Sequence, residues 1–158
     1  MRRLILTDDE ARLLAETGEY VVVRVMKVQP PSHWSEYYGK ITVGQWSNGV
    51  WRYSNTTAGV VFAIGNCPFG KVGDVVWCAE SWAYWGGNEY IYQKSPGAVM
   101  YKTGEECRMA LLVQDWRSPA IMPQWASRST ATIEAIDVRE VEGVWSWAAR
   151  IRKGEAQC

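Results

Sequence analysis

The run Val75-Val76-Trp77-Cys78-Ala79-Glu80-Ser81-Trp82 constrains the fold more than any other part of the chain. Side chains of a strand alternate between its two faces. That period puts Val75, Trp77 and Ala79 on one face and Val76, Cys78, Glu80 and Trp82 on the other. The residue types are those that suit a pleated, half-buried surface, so the run reads as one strand over 75–82. Glu80 then shares a face with apolar neighbours. Two turn signals precede the run, Asn66-Cys67-Pro68-Phe69-Gly70 and Val72-Gly73-Asp74.

Similar logic divides the rest of the chain. Thr7-Asp8-Asp9-Glu10 has the form of a capping box, and Ala11, Leu13 and Leu14 follow at helical spacing until Gly18, which predicts a short first helix. Tyr20 to Val28 is β-branched and reads as a strand, broken by Gln29-Pro30-Pro31-Ser32. Lys40–Gln45 and Val50–Tyr53 flank Asn48-Gly49, a strong hairpin signal because such turns need positive φ. Val60 to Ile64 suggests a further strand, and Tyr90–Gln93 with Ala98–Lys102 a second hairpin. Glu105 to Val113 fits helix or strand equally. Thr130 to Val141 reads as a long strand whose inward set shifts phase between Ala135 and Ile136, the mark of a bulge. Val144, Trp147, Ala148 and Ile151 recur at helical spacing, which predicts a closing helix to Lys153. Short strands with helices at both ends predict one barrel-like α+β domain over residues 1–158.

The 158 residues suit a single domain at about 150 residues per domain. Lys+Arg 17 balances Asp+Glu 17, which excludes the bulk positive field that drives sequence-independent binding to duplex DNA. The N-terminal Met-Arg-Arg-Leu-Ile-Leu meets acid too soon for a signal peptide or a membrane span, so the expected location is the cytoplasm, with no membrane partner. Reduced thiols follow for Cys67, Cys78, Cys107 and Cys158, and the N-x-T at Asn55 is no glycan acceptor. With no C-x-x-C spacing and His33 the sole histidine, no metal site is read, and no cofactor motif is present. Oligomeric state is not legible.

Ten Trp and eight Tyr against two Phe are the compositional outlier. Flat rings with a polar handle serve as core filler in small barrels, as stacking platforms for bases and as centres of protein interfaces. Trp34 and Trp85 fall in loop sequence, Trp85 beside Gly86-Gly87, and are the expected exposed pair.

Three segments in order, Leu4-Ile5-Leu6 with the helix ending at Gly18, Cys67-Pro68-Phe69-Gly70 through Glu80-Ser81-Trp82, and Trp116-Arg117-Ser118-Pro119 through Met122-Pro123 to Trp125-Ala126-Ser127-Arg128, resemble the phage and prophage subset of ASCH-domain proteins. The resemblance covers nearly the whole chain and implies a PUA-like β-barrel, with a cleft for a nucleotide, a modified nucleobase or single-stranded RNA or DNA. It implies Arg24, Tyr20, Glu80, Trp82, Arg117, Trp125, Ser127 and Arg128 as ligand-binding cleft residues. Tyr20 stands where relatives carry a lysine, Ile121 where a histidine is common and Gln124 where an arginine is common. Relatives that hydrolyse acylated cytidine pair that lysine with the acid matching Glu80, so half of the pair is missing here.

The residue chemistry leaves three readings. Glu80 among apolar neighbours is a candidate general acid or base, a two-point acceptor for a base edge, or a buried structural partner of Arg24 or Arg128. Arg24, Arg117 and Arg128 can each meet phosphate through a planar fork, or serve as ion-paired surface residues. Tyr20 cannot replace a lysine in proton transfer at neutral pH without help, while Lys27, Lys40 and Lys71 are alternative amines. A binding protein for a nucleotide or single strand is therefore expected first. A hydrolase of a modified nucleoside, or a nuclease, using Glu80 is second, and a Trp-rich module docking on a host protein third.

Overall fold

A computed structural model describes residues 1–31, 41–55, 59–84, 99–103 and 115–154. Trp34, His33, Lys40, Trp85, Gly86, Gly87, the Tyr90–Gln93 arm, Glu105 to Val113, Cys107 and Cys158 lie outside them. Strands β1 (Arg2–Ile5), β2 (Glu19–Val25), β3 (Ile41–Gln45), β4 (Trp51–Asn55), β5 (Val60–Gly65), β6 (Val75–Ala79), β7 (Trp82–Tyr84), β8 (Val99–Tyr101), β9 (Thr130–Val141) and β10 (Val144–Lys153) accompany helix α1 (Asp8–Thr17). The strands form sheets ordered β1-β6-β9-β10-β2, β3-β4-β5 and β7-β8. The fold is thus α+β and mostly strand, and among the described residues the sheets close no barrel. No described helix is long and apolar enough to cross a membrane.

Helix α1 begins as its sequence predicts. Thr7 Oγ1 accepts from the Glu10 amide, and Glu10 Oε2 accepts from the Thr7 amide at 2.9 Å, which satisfies two orphan donors reciprocally. Gly18 ends the helix at φ 76° and donates to the Leu14 carbonyl. Ala11 and Leu14 enter the first core with Val22, Met26, Val76, Cys78, Ile133, Trp147 and Ile151.

The predicted closing helix is instead the central strand β10, paired with β9 on one side and β2 on the other. Ser146, Trp147, Ala148 and Ala149 are all buried, so both faces of the strand are covered at its middle. A strand buried on both faces shows no clean alternation, and its apolar residues then mimic helical spacing. The connection Glu142-Gly143 has φ 53° and 80°, the two positive angles that a tight two-residue hairpin turn requires. By contrast, only Gly49 is at positive φ in the Asn48-Gly49 hairpin. There Gly49 N–H reaches the Trp46 carbonyl, Trp46 N–H reaches the Val50 carbonyl, and a three-residue loop results.

The bulge expected near Ala135 lies beside it. Arg150 pairs with Ala135 but Ile151 with Ile133, which leaves Glu134 as the extra residue. The slip returns Ile136 and Val138 to the face already carrying Ala131 and Ile133. Glu134 is gripped by Arg152 at 2.8 Å.

Strand β6 lies between two cores. Val76 and Cys78 belong to the first, over which β3-β4-β5 packs with Trp51 edge-on to Trp147 at 5.2 Å and Tyr53 edge-on to Trp145 at 5.5 Å. Trp77 and Ala79 belong to a second cluster with Trp82, Tyr84, Val99, Tyr101, Met122 and Ala126. The antiparallel β7-β8 pair and the short turns Pro119–Ile121 and Gln124–Ala126 contribute to that cluster.

Candidate functional site

The ladder of β6 ends at Ala79, not at Trp82 as the alternation predicts. A buried carboxylate must have its oxygens satisfied, and regular strand pairing offers them nothing beyond backbone. Glu80 and Ser81 leave the ladder and Trp82 starts β7 on the second cluster, so Trp82 does not continue the Val76 and Cys78 face.

Glu80 is 4% exposed. Arg128 grips it with two parallel bonds, Nε to Oε1 at 2.8 Å and Nη2 to Oε2 at 2.9 Å. Thr103 Oγ1 donates to Oε2 at 2.8 Å, and Arg128 Nη2 also donates to the Thr103 carbonyl. The guanidinium carbon lies 4.4 Å from the Tyr101 ring centroid, and the Tyr101 hydroxyl donates to the Ala126 carbonyl at 2.6 Å. Both carboxylate oxygens are thereby occupied. Arg128 remains 35% exposed, and neither N–H of its Nη1 is hydrogen-bonded to a described residue.

Arg24 is arranged differently. Its Nη1 donates to Glu10 Oε1 at 2.6 Å and to the Val23 carbonyl at 2.8 Å, and its Nη2 to Glu10 Oε2 at 2.7 Å and to the Ile5 carbonyl at 2.8 Å. Four of the five guanidinium donors are spent tying β2 to β1 and α1. Burial opposes the charge on Glu10, yet bonds from Arg24 and the Thr7 amide outweigh it and hold the Glu10 pKa below its ordinary value. The Arg24 pKa is raised, chiefly by its bond to Glu10. Arg24 therefore clamps the fold and does not pair with Glu80.

A second polar link runs beside Glu80. Asp8 accepts from Ser81 Oγ at 2.7 Å and from Lys102 Nζ at 2.8 Å. Burial opposes its charge, but the Lys102 and Ser81 bonds prevail and lower its pKa.

The remaining expected residues separate into aromatic and structural groups. Trp82 is buried, edge-on to Tyr84 at 5.1 Å, and Tyr84 lies 6.4 Å from half-buried Trp125. Arg117 stacks on this group, 5.3 Å from the Trp82 ring and 5.0 Å from the Tyr84 ring. Ser127 Oγ lies 2.7 Å from the Cys78 carbonyl and 2.9 Å from the Ser129 carbonyl, so its hydroxyl fixes the backbone. Tyr20 packs against the first core, while Ile121 and Gln124 are exposed.

Of the expected cleft residues, the structure joins Glu80 to Arg128 and Arg117 to Trp82, and sets Arg24 apart with Glu10. Thr103, Tyr101, Lys102 and Asp8 complete the site without a motif that marks them. Among the described residues no cluster of His, Cys, Asp and Glu could hold a metal ion. Protein-family models, curated protein sequences and solved structures contain no match to the chain.

Proposed function

We propose that this chain is a PUA-like, ASCH-type binding protein of the phage kind, acting in the cytoplasm on a nucleotide, a modified nucleobase or a short single strand of RNA or DNA. The observation that carries the reading is the division of labour within Arg128. Its Nε and Nη2 are held by Glu80 and Thr103, its guanidinium carbon sits over the Tyr101 ring, and its Nη1 edge is left for a ligand. A guanidinium held in one orientation meets phosphate or a carbonyl with little further loss of side-chain entropy. Half-buried Trp125, next to Tyr84, is the ring offered to a base.

Hydrolysis at Glu80 has less support, because three of the four acceptor sites of its carboxylate are already bonded and one, on Oε1, is left to take a proton. Equilibrium binding at low salt to RNA and single-stranded DNA oligonucleotides and to mononucleotides tests the proposal. Trp125→Ala is expected to weaken binding by about 1–3 kcal/mol, the usual worth of one base stacked on an aromatic ring. Failure of all three ligand classes to bind overturns it.

A further inference from the structure

Away from Glu80, two turns face each other across a groove of about 350 Å³ lined by Gln45, Ser47, Trp51, Lys71, Val72 and Ile136, with Asn48, Gly49 and Gly70 completing its walls. The volume lies within the range of small-molecule sites. We infer that this groove binds a planar aromatic anion, its ring system on Trp51 and Ile136 and its negative group at Lys71 and Ser47.

Both walls are held rigid. In the hairpin turn, Val50 N–H reaches Asn48 Oδ1 at 3.1 Å and Gln45 Nε2 reaches the Gly49 carbonyl at 2.7 Å. In the opposite turn, Asp74 Oδ2 accepts from the Lys71 amide at 2.9 Å and Asp74 N–H returns to the Lys71 carbonyl. Gly73 N–H reaches across to the Ile133 carbonyl at 2.8 Å. Gly70, at φ 117°, passes so close to Asp74 that an added Cβ would stand 2.6 Å from Oδ2. Walls fixed in this way need no ordering when a ligand arrives.

The polar groups left over specify the ligand. Lys71 is the charged side chain among the described lining residues, and neither its ammonium nor the Ser47 hydroxyl has a hydrogen-bond or ion-pair partner among the described residues. Gln45 Nε2 and Asn48 Oδ1 are engaged within their own turn, which leaves the Gln45 side-chain carbonyl and the Asn48 side-chain N–H groups as neutral partners in the lining. The apolar lining is Trp51, which meets Trp147 edge-on at 5.2 Å, together with Val72 and Ile136. One cation, one hydroxyl and an apolar lining that includes an indole suit an aromatic anion better than a bare sugar or a cation. Nucleoside monophosphates and aromatic carboxylates share that chemistry.

Titration calorimetry of the full chain with AMP, 2-naphthoate, neutral 2-naphthamide and inorganic phosphate separates these sources. At least one of the two aromatic anions is expected to bind, with naphthamide and phosphate at least about tenfold weaker. Lys71→Ala is expected to weaken the bound anion about tenfold, and Val72→Asp, which adds a negative charge at an exposed turn position, to abolish binding. Arg128→Lys is expected to leave 2-naphthoate binding unchanged, and likewise the part of any AMP binding that Lys71→Ala weakens. The inference is overturned if neither anion binds, if binding survives both Lys71→Ala and Val72→Asp, or if Arg128→Lys alone removes it. The last outcome would assign the ligand to the Glu80 and Arg128 site.

Discussion

Arg128 holds Glu80 by two bonds of 2.8 and 2.9 Å while its guanidinium carbon sits over the Tyr101 ring at 4.4 Å, so one side chain neutralises a buried charge and joins the end of β6 to the segment entering β9. Removing one member of such a pair leaves the other buried and uncompensated. Arg128→Ala is expected to cost about 3 kcal/mol in urea unfolding. Arg128→Lys keeps the charge but loses the fork, and should cost less than half as much. The double variant Glu80→Gln with Arg128→Met should recover much of the loss, since no bare charge remains. An Arg128→Ala loss below about 0.5 kcal/mol, the level of an ordinary surface pair, would contradict a structural role for the pair.

Acid lability should begin at Asp8 and Glu10. Both carboxyls have pKa values lower in the folded chain than their ordinary 3.8 and 4.5, through bonds from Lys102 and Ser81 and from Arg24 and the Thr7 amide. A carboxylate depressed on folding contributes stability that is complete above its unfolded pKa and disappears as pH falls through the folded one. Unfolding free energies should therefore fall from about pH 5 downward. Glu10→Gln should lower stability at pH 7 and flatten the acid limb. An unchanged limb in that variant would remove Glu10 as its source.

How far the sequence foretold these arrangements depended on whether a signal was local. The Thr7 to Glu10 box is complete within four residues, and the structure builds it as read. That the same Glu10 would receive Arg24 depends on β2 returning beside α1, which no local pattern encodes. Asn48-Gly49 advertised its turn, whereas Glu142-Gly143 did not, because glutamate has no intrinsic liking for positive φ. With that turn unseen, β10 lost its partner β9, and its two buried faces passed for a helix. Glu80 was legible as a buried acid in need of a partner. Thr103 was not, because it arrives from β8 by pairing with β7.

The Glu142-Gly143 turn offers a simple gain. A β-turn with both central residues at positive φ favours asparagine or glycine at the first, and Glu142 sits there at φ 53°. Glu142→Asn should stabilise the chain by about 0.5 kcal/mol, and Gly143→Val should destabilise it by about 1–3 kcal/mol through the strained angle. Thermal midpoints moving in opposite directions would support the β9-β10 hairpin. A neutral Gly143→Val would speak against the positive angle at that position.

Cys78 makes the alkaline side testable. Burial pushes its thiol up to about 11 from an ordinary 9.0 despite a bond to Ser129, and Cys67 is raised by burial as well. A thiol whose folded pKa is raised stays protonated while the unfolded chain ionises. Its contribution is therefore whole below about pH 9 and declines as pH climbs toward 11. The thiolate is the reactive form, so neither cysteine should react with iodoacetamide at pH 8 in the folded protein. Peptide-resolved mass spectrometry after a short labelling pulse should find both unmodified, and both modified once urea has unfolded the chain. Cys78→Ala should flatten the stability decline between pH 9 and 10 while leaving the acid limb untouched. Rapid labelling of Cys78 in the native protein would show that β6 opens to solvent, and with it the wall that separates the two cores.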